Sequence, residues 1–280
     1  MTASSPGIAV SSPATTTSSL WRQVSIMVHR SLIHTKRMPE MLSDVTVQPI
    51  MFVVLFAFVF GPAMPMPDGG SYTSYLLPGI MGQTIAFTGF IVATGITADL
   101  EKGIVDRFRS LPINRVAYLL GRSIASLLHS SIGIVVMALT GLAIGWRIHT
   151  GVGEATLGFV MVLVFGFAMI WFGVLIGSWL RSVEAVNGFM FTTMFPLTFL
   201  SNAFVPTAPM APWLRTIAEW NPMSSLVQAM RQLWGNGPHA GPDAALPLQY
   251  PVIATLLWSA GLTAIFAPLA LRAFNRRTAD

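Results

Sequence analysis

The sequence predicts an all-α, polytopic membrane protein with six transmembrane helices, and three observations lead there. First, six stretches carry no Asp, Glu, Lys or Arg: Val45–Pro67, Gly69–Ala98, Ser123–Trp146, Ala155–Leu180, Ala185–Leu214 and Ala244–Leu271. Each reaches the roughly 20 residues that let a helix cross the hydrocarbon core of a bilayer. Second, charged residues are only 10% of the 280-residue chain and hydrophobic ones 53%, whereas a soluble domain carries roughly 25% charged residues. A very apolar soluble core does not account for this, because buried core helices rarely stay uncharged for so long.

The third observation is where the basic residues fall. With six spans and both ends on one side, most of them share one face of the membrane. These are Arg22, Arg30, Lys36 and Arg37, then Lys102, Arg107, Arg109, Arg115 and Arg122, then Arg181, and last Arg272, Arg276 and Arg277. Only Arg147, Arg215 and Arg231 fall on the other. Lys and Arg accumulate in cytoplasmic loops, so both termini are expected in the cytoplasm of a multi-pass cell-membrane protein. The net charge of +5 then reflects topology, and nucleic acid is not expected as a partner.

The elements follow in order. Residues 1–19 are rich in Ser, Thr, Pro and Ala and lack the basic start of a signal peptide; they read as a disordered cytoplasmic tail. Residues 20–38 read as an interfacial helix. Leu20, Val24, Met27, Val28 and Leu32 form an apolar stripe, Arg22, Arg30, Lys36 and Arg37 add positive charge, and Trp21 suits the headgroup level. A loosely attached basic segment is the alternative there. Between spans two and three stands a charged island, EKGIVDRFRSLPINR, from Glu101 to Arg115. Lys102 and Asp106 are an i,i+4 pair, and Ile104, Val105 and Phe108 gather on one side of a short helix that Pro112 ends. The spacing also fits an ordinary loop anchored by its positive charges. Residues 205–249 are too polar and too broken by proline to span simply. Asn221 and Pro222 are an N-cap and a first-turn proline, and Met223, Leu226, Val227, Met230, Leu233 and Trp234 then share a helical face. Short external re-entrant helices are expected between spans five and six. Residues 276–280 are a cytoplasmic tail.

Two motifs carry a resemblance. The first is Asp99-Leu-Glu-Lys-Gly-Ile-Val-Asp-Arg-Phe-Arg-Ser-Leu-Pro, followed by Gly121-Arg122. The second is Phe195-Pro-Leu-Thr-Phe-Leu-Ser-Asn-Ala-Phe-Val-Pro, then Met210-Ala-Pro-Trp-Leu-Arg, Glu219-Trp-Asn-Pro-Met and Ala229-Met-Arg. Together they resemble ABC-2 type permeases, and more narrowly the daunorubicin/doxorubicin-resistance membrane subunits. The resemblance covers about residues 20–275 as one transmembrane domain. Many members of the wider family have Glu-basic-Gly-Thr in the island, where this chain has Ile104 and Val105 after Gly103. The resemblance implies that residues 99–115 are a cytoplasmic coupling segment seated in a separate ATPase subunit. Glu101, Lys102, Gly103, Asp106, Arg107, Phe108 and Arg109 would make that contact. It also implies a second permease, a copy of this chain or a relative, with ATP and Mg bound in the partner ATPase.

The residues themselves argue for a partner. A P-loop needs Gly-x-x-x-x-Gly-Lys-Ser/Thr, and the two lysines here follow Thr35 and Glu101. Polar residues inside the spans are candidates to line a route: Gln48, Gln83, Thr84, Thr88, Asn187, Thr192, Thr193, Thr198 and Asn202. Ser and Thr in membrane helices also commonly bond their own backbone. The shortage of intramembrane charge favours a hydrophobic or amphiphilic cargo, such as a drug, an antibiotic or a lipid.

Other chemistries find no support. There is no cysteine, no Gly-x-Ser-x-Gly and no His-Glu-x-x-His. His29 and His34 miss the i,i+4 spacing of a helical metal pair, His129 stands alone, and Met64 and Met66 sit in a proline-rich turn. No metal site, no cofactor of its own and no enzymatic activity are expected. Export of a polysaccharide or glycolipid is the alternative within transport, and it predicts a wide pathway lined by Trp and Tyr. A membrane-embedded lipid-modifying enzyme would need clustered intramembrane carboxylates or histidines, and a passive channel would conduct without nucleotide.

Overall fold

The computed structural model describes residues 21, 22, 24–26, 28, 29, 39–61, 71–103, 115–237 and 239–277. Several expectations lie outside these residues: the 1–19 tail, residues 30–38, the Met64–Met66 turn, and the part of the island that holds Asp106, Arg107, Phe108, Arg109 and Pro112. All regular structure among the described residues is helical. Those between 21 and 29 are helical, with Val24 buried and Trp21 and Ile26 exposed.

Helix α1 (Pro39–Leu55) runs into a π turn, Phe56–Phe60, which Gly61 closes by donating its N–H to the Phe56 carbonyl at 3.1 Å. The long helices are α2 (Tyr72–Glu101), α3 (Arg115–Ala143) and α4 (Val152–Trp179). After α5 (Val183–Phe199) come three short helices, α6 (Pro212–Trp220), α7 (Pro222–Trp234) and α8 (Leu246–Gln249). The last helix is α9 (Pro251–Arg277). Helices α2, α3, α4 and α9 are long and apolar enough to cross a membrane. The apolar part of α1 is shorter, Thr46–Val59.

The fifth expected span ends at Phe199, a little short of residue 205, where the external segment was predicted to begin. α5 has 17 residues, or about 25 Å at 1.5 Å per residue, against a hydrocarbon core of about 30 Å. It stops because Leu200 leaves helical angles (φ −87°, ψ 48°) and the side chain of Asn221 takes the carbonyls of Leu197 and Leu200, at 2.7 Å each. Pro206 and Pro209 then keep the chain irregular up to α6.

The centre of the fold is the contact of α2 with α4. A Cβ on Gly173 would stand 2.0 Å from the Gly89 carbonyl oxygen, and one on Gly177 would stand 2.4 Å from that of Ala93. A Cβ on Gly89 would in turn meet the Met169 carbonyl oxygen at 2.3 Å. Small residues four apart on each helix therefore bring the backbones together, as in Gly-x-x-x-Gly packing. Thr97 adds a hydrogen bond to the Gly177 carbonyl at 2.9 Å. Helix α9 packs along α4 and leaves Ile253, Leu256, Leu257, Ile265 and Leu269 exposed.

Candidate functional site

The end of the molecule that carries the charged island is closely knit. Lys102 is exposed and follows α2 directly, and its N–H donates to the Ala98 carbonyl at 3.1 Å. Gly103 turns the chain with φ +63°, a left-handed conformation in which a side chain is strained. The carboxylate of Glu101 accepts from the backbone N–H of Val183 at 3.2 Å, the first residue of α5, while Ser182 Oγ caps the same helix through Ala185 N–H at 3.1 Å. A carboxylate and a serine at an N-terminus offset its unpaired donors and its positive dipole end. Arg277, at the end of α9, donates to the carbonyls of Gly177 (3.1 Å) and Leu180, which close α4.

Arg122 is not a loop charge. It lies within α3 and pairs through Nη1 with the carboxylate of Asp99, which also accepts from the Tyr118 hydroxyl at 2.7 Å. Both Asp99 and Arg122 belong to the first sequence motif, where nothing in their spacing gave them a task.

The candidate route residues do not converge on one surface. Gln48 and Thr192 are on the outside of the chain, while Gln83 and Asn187 are half-buried. Thr192, Thr193 and Thr198 bond their own helix, to Gly188, Phe189 and Met194 carbonyls at 2.8, 2.9 and 2.8 Å. Thr88 is buried and donates to Ser130 Oγ of α3 at 2.7 Å. Thr84 points its hydroxyl to the Met137 sulfur at 3.8 Å. Asn202 is buried in the turn after α5.

What α5 does present is a row of phenylalanines. Phe191, Phe195 and Phe199 lie four residues apart, each about half exposed, and their rings follow one another at 5.5 and 5.6 Å. The row continues through Phe204 (5.4 Å from Phe199) and Phe56 (5.6 Å from Phe204) to Phe52 on α1. On its other flank, Phe90 of α2 meets Phe191 at 5.1 Å, and Phe87 meets Phe195 at 6.3 Å. The four-residue repeat on α5 was readable in the sequence, but its union with Phe56, Phe87 and Phe90 needs the fold.

The opposite end is built on α7, which is buried along most of its length. Asn221 accepts from Met223 N–H at 2.8 Å, so one amide side chain ends α5 and begins α7. Arg231 lies on this helix, as expected, but its burial was not foreseen: it is 1% exposed, and it donates to the carbonyls of Tyr75 (3.0 Å), Asn202 (2.9 Å) and Ala203 (3.1 Å). Tyr75 and Tyr72 hold the same turn through the Asn202 and Phe204 carbonyls, at 2.9 and 3.3 Å. Helix α6 turns Trp213, Ile217 and Trp220 outward. On its inner side Glu219 accepts from Arg215 Nε (2.6 Å), Thr207 Oγ1 (3.1 Å) and Ala245 N–H (2.7 Å). That hydrogen bond first, and the charge of Glu219 second, raise the Arg215 guanidinium further above its ordinary range, so Arg215 stays charged throughout physiological pH.

Residues 22–234, from the N-terminal helical segment to the end of α7, match the family model described as ABC-2 type transporter. The chain belongs to the ABC-2 type transporter family. Among relatives of this ABC-2 permease is a daunorubicin resistance ABC transporter permease protein of Streptomyces coeruleorubidus, 30% identical over 89% of this chain and 85% of that protein. A probable doxorubicin resistance ABC transporter permease protein of Mycobacterium tuberculosis is 25% identical over 80% of this chain and 78% of its own. A putative transport permease of Pyropia yezoensis is 25% identical over 78% and 76%. The ABC-2 permease is thus a multi-pass membrane protein, and both sequence motifs fall inside the matched region.

Proposed function

We propose that this chain is the membrane subunit of an exporter that moves a hydrophobic or amphiphilic compound outward, driven by ATP hydrolysis in a separate subunit. The observation that carries the reading is the half-exposed phenylalanine row of α5, joined to Phe87 and Phe90 of α2. Such a surface binds apolar and aromatic groups by stacking and burial, and offers nothing to an ion or a hydroxyl-rich sugar. The relatives named for daunorubicin and doxorubicin resistance support a drug-like cargo. The row is phenylalanine rather than Trp or Tyr, which favours this over polysaccharide export.

In this reading two permease chains enclose the pathway, each with six spans formed by α1, α2, α3, α4, α5 and α9, and with both termini in the cytoplasm. The island from Glu101 to Arg109 meets the ATPase, with Lys102 free to do so and Asp106, Arg107, Phe108 and Arg109 beyond it. Glu101 and Gly103 act from behind, by ordering the helix ends on which the island is mounted. Helices α6 and α7 are the re-entrant pair at the outer leaflet, α6 with its tryptophans toward lipid headgroups. ATP-driven closure of two ATPase subunits would displace the islands and switch the pathway from inward to outward access.

The test is co-purification followed by transport. The tagged chain is solubilised gently from its native membrane with and without Lys102→Ala and Arg107→Ala. An ATPase subunit that accompanies the wild type and is lost from the variant supports the coupling assignment. Reconstituted vesicles should then accumulate daunorubicin, used as a probe, only when ATP is added. Absence of any ATPase from the wild-type preparation in several mild detergents would sink the reading.

A further inference from the structure

The two ends of the segment between α2 and α3 are tied to each other. Asp99 lies in the last turn of α2, and one of its oxygens, Oδ2, accepts both from Arg122 Nη1 and from the Tyr118 hydroxyl at 2.7 Å. Tyr118 and Arg122 are four residues apart on α3. A single carboxylate oxygen thus holds two successive turns of α3 against the end of α2. The guanidinium presses its Nη2 end against Gly95, where an added Cβ would stand 2.1 Å from Nη2 and 3.1 Å from Cζ. The Tyr118 ring stacks on Phe274 of α9 at 5.9 Å and belongs to a core with Val92, Ile96 and Leu119. The side chains of Arg122 and Asp99 are 29% and 21% exposed, so the pair is partly desolvated, hydrogen-bonded and braced, unlike a surface ion pair that solvent weakens.

We propose that Asp99, Arg122 and Tyr118 are positioning residues that lock the two roots of the coupling segment into one block. A displacement of the segment then moves α2 and α3 together instead of prying them apart. The inference rests on the coupling role proposed for the island. Helix α2 is in backbone contact with α4 at Gly89 and Gly173, and Glu101 reaches the first N–H of α5. A push that enters α2 is therefore passed on to α4 and α5. With the latch open, the same push is spent in separating the root of α3 from that of α2.

The chain has no cysteine, so spin labels can be placed at Ala98→Cys, half-buried in the last turn of α2, and at Arg115→Cys, the first residue of α3, one on each root and neither among the residues assigned to the ATPase contact. The distance between them is measured in the permease–ATPase complex in lipid nanodiscs, without nucleotide and with ATP and Mg. The latch predicts one narrow distance, the same in both states. Asp99→Asn and Arg122→Gln should broaden it without nucleotide and lengthen it with ATP. In the same preparations the ATPase should stay bound and hydrolyse ATP while daunorubicin moved per ATP falls. Arg122→Lys, which keeps the charge and loses the flat guanidinium, should fall between. A purely structural role would instead lower the yield of folded complex and leave the moved-to-hydrolysed ratio of the remainder unchanged. Unchanged distance distributions in Asp99→Asn and Arg122→Gln overturn the proposal. Should those variants not assemble, Tyr118→Phe removes only the hydroxyl, and a distribution matching the wild type in both states overturns it equally. If no ATPase binds the unmutated chain, the coupling reading fails, and the nucleotide-free distances still decide whether the latch exists.

Discussion

The guanidinium carbon of Arg231 stands 3.4 Å from the centre of the Tyr75 ring, across 156 residues of chain. The charge is held by the ring face and by three backbone carbonyls, and no carboxylate takes part among the described residues. Arg231→Met is expected to cost more than about 3 kcal/mol, because buried carbonyls lose charge-assisted donors and the cation–π contact goes as well. Arg231→Lys keeps a charge but not the planar fork, and should fall between. Thermal unfolding in detergent measures both; an unchanged midpoint for Arg231→Met would show that the staple contributes nothing.

Asn221 separates into two roles by substitution. Asn221→Asp keeps the acceptor for Met223 N–H but has no donor for the Leu197 and Leu200 carbonyls. Asn221→Ala loses both roles, at about 1–3 kcal/mol. Hydrogen exchange should therefore rise at the end of α5 in both variants, but at the start of α7 only in Asn221→Ala. Equal exchange at both helix ends in the two variants would refute the division.

Gly173→Ala should be damaging far beyond its size. Its new Cβ would sit 2.0 Å from a backbone oxygen of Gly89, which cannot yield as a side chain can. Gly188 and Gly261 have open space where a Cβ would go, so alanine there should be neutral or gain up to about 1 kcal/mol of helix propensity. Comparing detergent-extracted yield and unfolding midpoint across the three variants tests this. Equal behaviour would mean that α2 and α4 do not touch by their backbones.

Phe195→Ala removes the middle ring of the α5 row, which neighbours Phe191, Phe199 and Phe87. Its ring is 44% exposed, so the loss should show in cargo binding before it shows in stability. An aromatic contact of about 0.5–1.5 kcal/mol corresponds to about a 2- to 10-fold weaker affinity. Fluorescence titration of daunorubicin against the purified protein reads it, with Phe195→Leu as the control that keeps apolar bulk. Unaltered binding in Phe195→Ala would remove the row from the cargo site.

The helical class, the long helices and the short ones after α5 were legible because uncharged length and proline position are local properties. α2, α3, α4 and α9 fall where the charge-free stretches do. The break at Leu200 was not legible, since the run from Ala185 to Leu214 stays uncharged while its cap comes from Asn221. Arg231 was placed on a short external helix and Arg122 between two spans, because a sequence shows that a residue is basic and not what lies across from it. Only the folded chain brings Tyr75 to the first and Asp99 to the second. The Gly173-x-x-x-Gly177 spacing, by contrast, was in plain view and is the local signal that the α2–α4 contact follows.

The α2–α4 contact has a mechanical consequence. Where side chains separate two helices, rotamer changes can absorb sliding or tilting, but where carbonyl oxygens face glycine there is no such slack. Helices α2 and α4 therefore form the rigid frame of the molecule. Helix α9 is fastened to that frame, packed along α4 with Arg277 on the Gly177 and Leu180 carbonyls, whereas α1 lies mainly against α3 and α5 meets α2 through rings, and α1 and α5 are the parts with room to travel.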